Sequence, residues 1–354
     1  MKRINAVRPT EAMLADVRAK SLPGRVYNLS AGDPNLPPCR ALLDAYKSVS
    51  AESSHNYCSS TGLPSLRAKL WPNPSEVIIA NGAKQLIYMS LAAVTKPGDE
   101  VVIIGPCWTS FMRICDLLGL RYTLLTGGPE ERFIPDISSV LKAITPDTAA
   151  VLMNSPNNPT GAVYSDGYID LVLAAVRDNS SWLIMDEIYR YICDVPFRTL
   201  RGQKDVIVID GFSKSLSITG WRLGYAIASG EIISAMTGIQ SQMSGPPSTL
   251  IQKVVDSAFD GLQYYSFDDY RDRIDLLCSI PKFASARPQG GFYFYLPIAD
   301  SWESSVELCD SMLLNHSVAI TPGDDYGVSR TVRISVASET AESLAEIKDI
   351  LIDI

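Results

Sequence analysis

The sequence has no long hydrophobic run. Its longest apolar stretches, at residues 100–105 and 149–153, are far shorter than the roughly 20 residues that a helix needs to cross a bilayer, so no membrane span is expected. Runs of lysine and arginine are also missing, and the net charge is −8. The sequence therefore lacks the cluster of basic residues that binding to a nucleic acid or to an anionic membrane requires. Small molecules are the favoured partners.

Cysteine pairs and histidine clusters are missing as well. The seven cysteines are scattered singly without a Cys-x-x-Cys motif, and the only two histidines are His55 and His316. This pattern is typical of reduced thiols rather than of disulfides or a zinc site, and it predicts a cytoplasmic protein without a metal centre. Charged residues interrupt residues 1–16 before an apolar core can form, so we expect no signal peptide.

The sequence does contain a regular alternation of strand and helix patterns. Short β-rich runs such as Val77–Ala80 and Arg121–Leu125 alternate with helical periodicity, and 46% of the 354 residues are hydrophobic, enough for a large core. The alternation predicts an α/β fold with mostly parallel strands. Reactive residues follow several strand ends, where open α/β sheets bind ligands. After about Phe259 the pattern changes to that of a smaller domain, which is predicted to close with a helix over Thr340–Ile352.

The segment Asp210–Tyr225 carries the strongest chemical signal. It places Lys214 between two serines, Ser213 and Ser215, with Arg222 eight residues further on. A lysine amine can hold pyridoxal 5′-phosphate (PLP) as a Schiff base, while hydroxyl groups and a guanidinium can neutralise the phosphate of the same cofactor. The segment therefore indicates a covalent cofactor site, although a strand followed by a basic surface loop would explain Ser-Lys-Ser alone.

Two further segments offer groups that PLP would need. Asn81-Gly82-Ala83-Lys84 lies between a strand and a helix, where free backbone amides can bind phosphate, but glycine there is also common in an ordinary turn. Asn158, within the proline-rich turn 154–161, could donate a hydrogen bond to the phenolate oxygen of the pyridine ring. Turn-forming preference would explain the composition of this segment but not its position after a buried strand.

Two charged residues complete the set. Asp186 directly follows the apolar strand Trp182–Met185, and a carboxylate there can keep a pyridine nitrogen protonated, although an acidic residue after a strand is also a frequent helix cap. Arg333 lies in a strand of the smaller domain that is predicted over residues 331–337, and it could bind a substrate carboxylate through two hydrogen bonds. Taken alone, an arginine in such a strand is usually a surface residue.

Together these segments resemble the PLP-dependent aminotransferases of fold type I, in the class I/II group that includes aspartate and histidinol-phosphate aminotransferases. The resemblance runs from about Asn28 to the C-terminus. The family's motifs occur in order as Ala31-Gly32-Asp33-Pro34, Tyr57 with Gly62-x-x-x-Leu66-Arg67, Asn81-Gly82-Ala83, Pro106-Cys107-Trp108, Asn157-Asn158-Pro159-Thr160-Gly161, Asp186-Glu187-Ile188-Tyr189, Ser213-Lys214 with Gly220-Trp221-Arg222-Leu223-Gly224-Tyr225, and Arg333.

The resemblance implies an α/β fold of type I, with a large domain of mostly parallel mixed sheet flanked by helices and a smaller α+β domain. We expect residues 39–262 to form the large PLP-binding domain, and residues 1–38 and 263–354 together to form the small domain. It also implies a homodimer, in which Tyr57 reaches the cofactor phosphate of the partner subunit.

The resemblance assigns a role to each candidate site residue. Lys214 is the Schiff-base lysine and general base, Asp186 pairs with the pyridine nitrogen, and Tyr189 joins Asn158 at the ring oxygen O3′. Trp108 stacks on the ring. The phosphate would be surrounded by Gly82, Ala83, Lys84, Ser213 and Arg222. The substrate carboxylate would be received by Gly32, Asn158 and Arg333.

The implied activity is the transfer of an amino group from an L-amino acid to a 2-oxo acid, 2-oxoglutarate being the expected acceptor, by a ping-pong mechanism. Other fold type I enzymes, namely C–S lyases, decarboxylases and cyclising enzymes, are the main alternative, because the cofactor does not decide which substrate bond breaks. The PLP-binding sensor of a transcription regulator is another alternative, which is disfavoured because no DNA-binding segment is expected before Asn28.

The departures from the family pattern concern substrate choice. Many relatives carry a phosphate-binding serine at the position of Gly211, and the segments 66–77 and 277–289 are shorter than usual. Arg113, Arg190 and Arg287 are candidates for reading a substrate side chain. The substrate itself is not identifiable from these residues.

Overall fold

The computed structural model describes residues 9–52 and 55–354. The strands are β1 (Tyr27–Asn28), β2 (Val77–Ala80), β3 (Glu100–Ile104), β4 (Arg121–Leu125), β5 (Thr148–Asn154), β6 (Trp182–Asp186), β7 (Val206–Gly211), β8 (Gly224–Ile227), β9 (Tyr293–Pro297), β10 (Val318–Ala319), β11 (Thr321–Pro322) and β12 (Thr331–Ser335). The helices are α1 (Glu11–Ser21), α2 (Arg40–Glu52), α3 (Pro64–Leu70), α4 (Ala83–Val94), α5 (Ser110–Leu118), α6 (Ile137–Ala143), α7 (Asp166–Asp178), α8 (Gly230–Met243), α9 (Thr249–Ala258), α10 (Asp268–Cys278), α11 (Pro281–Ser285), α12 (Ser305–His316) and α13 (Ala341–Ile347).

Seven strands form one mixed sheet in the order β2-β8-β7-β6-β5-β3-β4. Only β8 runs antiparallel to its neighbours, and the remaining pairs are parallel. Parallel neighbours need a crossover connection, which α5 provides between β3 and β4 and α7 between β5 and β6. The predicted α/β fold with a mostly parallel mixed sheet is confirmed.

Helices cover both faces of this sheet, which explains why its strands are apolar without alternation. On one face, Leu86 of α4, Phe111 of α5 and Ile233 of α8 pack in the same core as the strand residues. On the other face, Val140 of α6 and Leu173 of α7 do so. Both faces are filled, so the carboxyl edge of the parallel strands is where the sheet can hold a ligand.

A second sheet of three antiparallel strands, in the order β11-β12-β9, lies C-terminal to the first. Its aromatic strand β9 packs in a core with residues of α10, α12 and α13. Leu29, Ile188 and Tyr189 belong to the same core, which therefore extends to the loop that follows β6. The boundary between a large domain at 39–262 and a small domain remains a prediction.

Two details differ from the sequence-based expectations. The closing helix ends at Ile347 and continues as a 3₁₀ helix over Lys348–Asp353, a tightening that is frequent at helix C-termini. The strand expected over residues 331–337 ends at Ser335. All seven cysteines are free thiols, as predicted. Within residues 9–52 and 55–354, no helix is long and apolar enough to cross a membrane.

Candidate active site

A cavity of about 270 Å³ lies at the carboxyl edge of β5 and β6, between the two sheets. It brings together residues that are far apart in the sequence. Its lining consists of Met13, Asp16, Ser30, Ala31, Gly32, Ala83, Trp108, Asn154, Asn158, Asp186, Ile188, Tyr189, Lys214, Tyr293 and Arg333.

Asp186 is the buried acid of this cavity. The parallel register of β5 and β6 places it opposite Asn154, and only 4% of its surface is exposed. Burial raises the pKa of Asp186 to about 7, with a further upward contribution from the nearby carboxylates of Asp210 and Glu187. The Asn154 side chain donates to the Asp186 carbonyl oxygen (2.9 Å), which ties the two strand ends together.

Lys214 follows β7, the strand that runs parallel to β6. Its Nζ atom donates to the Gly32 carbonyl oxygen (2.5 Å). Burial lowers the pKa of Lys214 to about 8, and Arg333 and Arg222 lower it further, while the carboxylate of Asp186 acts in the opposite direction. An amine with such a pKa has a substantial neutral fraction near neutral pH, as a nucleophile or a base requires.

Gly32 and two tyrosines form the wall beside Lys214. The Tyr189 and Tyr293 hydroxyl groups lie 2.9 Å apart, and burial raises the pKa of Tyr189 well above its ordinary value. A Cβ atom added at Gly32 would lie 1.8 Å from the Tyr293 hydroxyl oxygen. Only glycine fits at this position, because the backbone and Tyr293 approach so closely.

Arg333 is buried rather than superficial, with 3% of its surface exposed. Its Nη1 atom donates to Asn158 Oδ1 (3.1 Å) and its Nη2 atom donates to the Ser30 carbonyl oxygen. Its Nε atom has no hydrogen-bond partner among the described residues. The guanidinium carbon lies 4.6 Å from the centroid of the Tyr293 ring. A buried guanidinium with a spare donor is suited to bind an anionic ligand.

A second group of predicted residues lies at the start of α4. Gly82 has a φ of +84°, and a Cβ atom added there would lie 2.9 Å from Arg222 Nη2. The Gly82 amide donates to the Ala80 carbonyl oxygen (2.8 Å), which leaves the first amides of the helix, at Ala83 and Lys84, for an anion. Arg222 is held beside this turn through its bonds to the carbonyl oxygens of Thr219 (2.9 Å) and Asn81 (3.4 Å).

Three predicted residues have other surroundings. The Lys84 ammonium lies 4.9 Å from the centroid of the Trp108 ring, and burial lowers the pKa of Lys84. Ser213 is buried next to Lys214 without lining the cavity. Tyr57 lies outside the cavity and is 92% exposed.

The three arginines considered as side-chain readers do not line the cavity of the single chain, and their role stays a prediction. Each is engaged in an ion pair: Arg190 with Asp210, Arg287 with Asp275 (2.5 Å), and Arg113 with Asp116 (3.5 Å). Within the single chain, each pair partly neutralises the charge of its guanidinium.

Sequence reasoning missed several lining residues. Asn154 carried a usable signal, because it ends a buried strand just as Asp186 does. Tyr293 lies two residues after the glycine pair 290–291, which is a weaker signal. Met13 and Asp16 on α1 had none, because the docking of α1 depends on distant contacts such as the bond from Asn28 Nδ2 to Asp16 Oδ1 (2.7 Å).

Known proteins share both the sequence pattern and the fold. The chain matches the family of class I and II aminotransferases over residues 25–351. It is 29% identical to the aspartate/prephenate aminotransferase of Thermus thermophilus, with 95% of this chain and 94% of that protein aligned. It is 30% identical to an aspartate aminotransferase of Bacillus sp. strain YM-2, with the same coverage of 95% and 94%.

Solved structures agree with the sequence comparisons. The aspartate aminotransferase of Thermus thermophilus with maleate superimposes with a TM-score of 0.91 at 27% identity, covering 99% of each chain. The aromatic aminotransferase of Pyrococcus horikoshii OT3 gives a TM-score of 0.84 at 26% identity, covering 95% of this chain and 96% of that one. This chain therefore belongs to the class I and II aminotransferases and is a PLP-dependent enzyme of that family.

Proposed function

We propose that the cavity binds PLP through Lys214 and transfers an amino group from an L-amino acid to a 2-oxo acid by a ping-pong mechanism. The observation that carries this proposal is that Lys214, Asp186 and Arg333 line one cavity. An amine, a buried acid and a buried guanidinium are the three groups that the cofactor aldehyde, the pyridine nitrogen and a substrate carboxylate respectively require.

The residues present fit PLP. Asp186 is a buried carboxyl group whose pKa is raised because burial outweighs the opposing effect of the Lys214 ammonium, and a protonated ring nitrogen would supply a further compensating cation. At Gly82, the space that a Cβ atom would fill beside Arg222 is left open, next to the helix amides that favour a phosphate. We therefore assign the ring nitrogen to Asp186 and the phosphate to this turn.

The remaining cofactor contacts follow from the same arrangement. Trp108 would cover the ring face, and Tyr189 and Asn158 would donate to O3′. The phosphate would be held by Gly82, Ala83, Lys84, Ser213 and Arg222. When bound, PLP supplies an electron sink for the electron pair that is left when the substrate Cα–H bond breaks.

Lys214 is the residue that would accept the substrate Cα proton and return it. Its lowered pKa of about 8 means that the Nζ atom can accept a proton from the substrate and return it without a large energetic mismatch near neutral pH. The Gly32 carbonyl oxygen, which accepts a hydrogen bond from Nζ, holds the amine on the side of the cavity where Arg333 lies. Base and carboxylate receptor thus face the same small volume.

Replacing Arg333 with glutamine is expected to raise the KM for amino donors by about 10- to 100-fold, because hydrogen bonds to a charged group contribute about 1.5–3 kcal/mol. Steady-state kinetics would show this. Arg330→Gln is the control, since Arg330 stands just before the same strand but caps backbone carbonyl groups. A KM for Arg333→Gln that equals the KM of the control would contradict the assignment.

We also propose a homodimer in which Tyr57 completes the phosphate site of the partner subunit, together with small amino acid and 2-oxo acid substrates. The support for the dimer is that Tyr57 is 92% exposed, although the Asn56 and Ser60 carbonyl oxygens on either side of it accept hydrogen bonds from Thr249 and Gln240. A cytoplasmic location is proposed on the strength of the seven unpaired cysteines.

A panel of L-amino acids with 2-oxoglutarate tests the proposed reaction, with aspartate as the first donor because two of the relatives named above are aspartate aminotransferases. We expect glutamate to form together with the 2-oxo acid of the donor, and the cofactor absorbance to change with each half-reaction. Release of carbon dioxide or ammonia without glutamate would instead indicate a decarboxylase or lyase, the alternative that shares the cofactor.

A further inference from the structure

Gln240 on α8 is a fully buried glutamine whose amide groups are all engaged. Its Nε2 atom donates to two backbone carbonyl oxygens, that of Ile79 (2.9 Å) and that of Ser60. Its Oε1 atom accepts a hydrogen bond from Nε2 of Gln85 on α4 (3.1 Å). A buried amide with every donor and acceptor paired is costly to remove, because each partner would be left unsatisfied.

The Gln85 side chain extends this contact into a relay. Its Oε1 atom accepts the backbone amide hydrogen of Asn81 (3.0 Å). The relay therefore begins at a backbone N–H group, passes through two side-chain amides and ends at the Ser60 carbonyl oxygen. Because both ends are backbone groups of fixed polarity, the orientation of each amide is determined.

Both ends of the relay lie in segments that the proposed function uses. Asn81 precedes Gly82, and its carbonyl oxygen accepts a hydrogen bond from Arg222, so this end is the turn assigned to the cofactor phosphate. Ser60 stands three residues after Tyr57, so the other end is the segment that would serve the partner subunit.

The segment around Tyr57 is anchored from a second helix too. Thr249 Oγ1 donates to the Asn56 carbonyl oxygen (2.9 Å). The fully buried Gln252 accepts the Leu63 amide hydrogen (2.8 Å), and its Nε2 atom lies 3.2 Å from Cys58 Sγ. Backbone anchors on both sides thus hold a tyrosine whose own ring is almost entirely outside the chain. A rigidly presented, exposed aromatic ring is suited to contact a second molecule.

We propose that Gln240 is a positioning residue that couples the two cofactor sites of a dimer. Through Gln85 it fixes the phosphate turn of its own subunit, and through Ser60 it fixes the segment with which that subunit reaches the phosphate of its partner. This inference rests on the proposed function, because it requires both PLP and the dimer. The segment around Tyr57 would contact the phosphate monoester of PLP bound to a second copy of this chain.

The test is Gln240→Met, which keeps the side-chain length and removes all the amide hydrogen bonds. We expect the dissociation constant of PLP to rise about 10-fold, the effect of losing hydrogen bonds to the phosphate site. The dissociation constant of pyridoxal, which lacks the phosphate, should change less than about 2-fold. Gln242→Met is the matched control, because Gln242 is exposed on the same helix and, within residues 9–52 and 55–354, its side chain bonds only to Ser241 Oγ (3.2 Å).

Gln85→Met breaks the relay from the other side and is the substitute if Gln240→Met does not fold, because Gln85 is only partly buried. It should show the same loss of PLP relative to pyridoxal. Equal weakening of PLP and pyridoxal would indicate a general packing defect and overturn the proposal. So would a PLP affinity equal to that of Gln242→Met.

Mixed dimers separate the two directions of the coupling. One subunit carries Lys214→Ala, so that only the other can bind PLP covalently. Gln240→Met is then placed in either subunit, and PLP retention is followed by absorbance. Retention should fall about 3-fold in each arrangement, because the two losses add in free energy to the roughly 10-fold effect in the dimer that carries both substitutions. A loss confined to one arrangement overturns the coupling. If the unmodified protein neither binds PLP nor sediments as a dimer, it is the proposed function that fails.

Discussion

Lys214→Ala is expected to abolish transamination, with kcat at least ~10³-fold below that of the unmodified enzyme, because the variant loses both its nucleophile and its general base. Lys214 is the only lysine that lines the cavity within the described residues, so no neighbouring amine can take over. Single-turnover measurements of the cofactor absorbance with an amino donor would show whether proton transfer itself has slowed.

Lys214→Arg is the matched control for this experiment. Arginine keeps the positive charge and the length of the side chain, but its guanidinium stays protonated and cannot serve as the nucleophile or the base. We expect it to be as inactive as the alanine variant. Borohydride reduction of the unmodified protein should attach the cofactor to the peptide that contains Lys214. A label on another peptide, or an alanine variant with undiminished kcat, would refute the assignment.

Asp186→Asn is the second substitution with a large expected effect. The neutral amide cannot keep the pyridine nitrogen protonated, so the electron sink weakens and kcat should fall about 10²- to 10³-fold, a loss comparable to removing one preorganised electrostatic contact. The cofactor should remain bound, because the covalent link and the phosphate contacts are intact. An unchanged rate of Cα proton removal would contradict the role given to Asp186.

The pH dependence of stability gives an independent check on Asp186. In the cofactor-free fold its pKa is raised from 3.8 to about 7 by burial, so the folded state favours the protonated acid. The stability contributed by this group is fully present below pH 4 and is lost as the pH rises through 7. Asparagine does not titrate. The Tm of cofactor-free Asp186→Asn should therefore exceed that of the unmodified protein by more at pH 8 than at pH 5. An equal difference at both pH values would contradict burial as the cause of the shift.

How much could be predicted from the sequence depended on whether a residue's position followed from local pattern. The positions of Asp186 and Lys214 in the site could be predicted, because each follows an apolar strand of a parallel sheet, and the carboxyl ends of such strands meet at one edge. The position of Arg333 in the site could be predicted only from the family resemblance. Its own strand pattern indicated a surface residue, yet it is 3% exposed.

The surroundings of Arg190 could not be predicted from the sequence. Arg190 follows Tyr189 directly and looked available to a substrate, but Asp210, twenty residues away, holds it in a buried cluster with Arg201. The sequence contains both charges but not the distance between them. Ion pairs of this kind depend on which strands become neighbours, and no periodicity reports that.

By itself, the sequence determined the fold class, the order of the strands and helices along the chain, and the chemistry at the ends of β6 and β7. Those properties depend on hydrophobic periodicity and on short motifs, which act locally. Only the tertiary structure decided that the Tyr293 and Tyr189 hydroxyl oxygens lie 2.9 Å apart and that α1 contributes Met13 and Asp16 to the cavity. It also decided that Gln240 connects the segment around Ser60 with the turn that precedes α4. These contacts form between residues far apart in the chain, and their geometry is determined by sheet register and by the packing of the two sheets around one cavity.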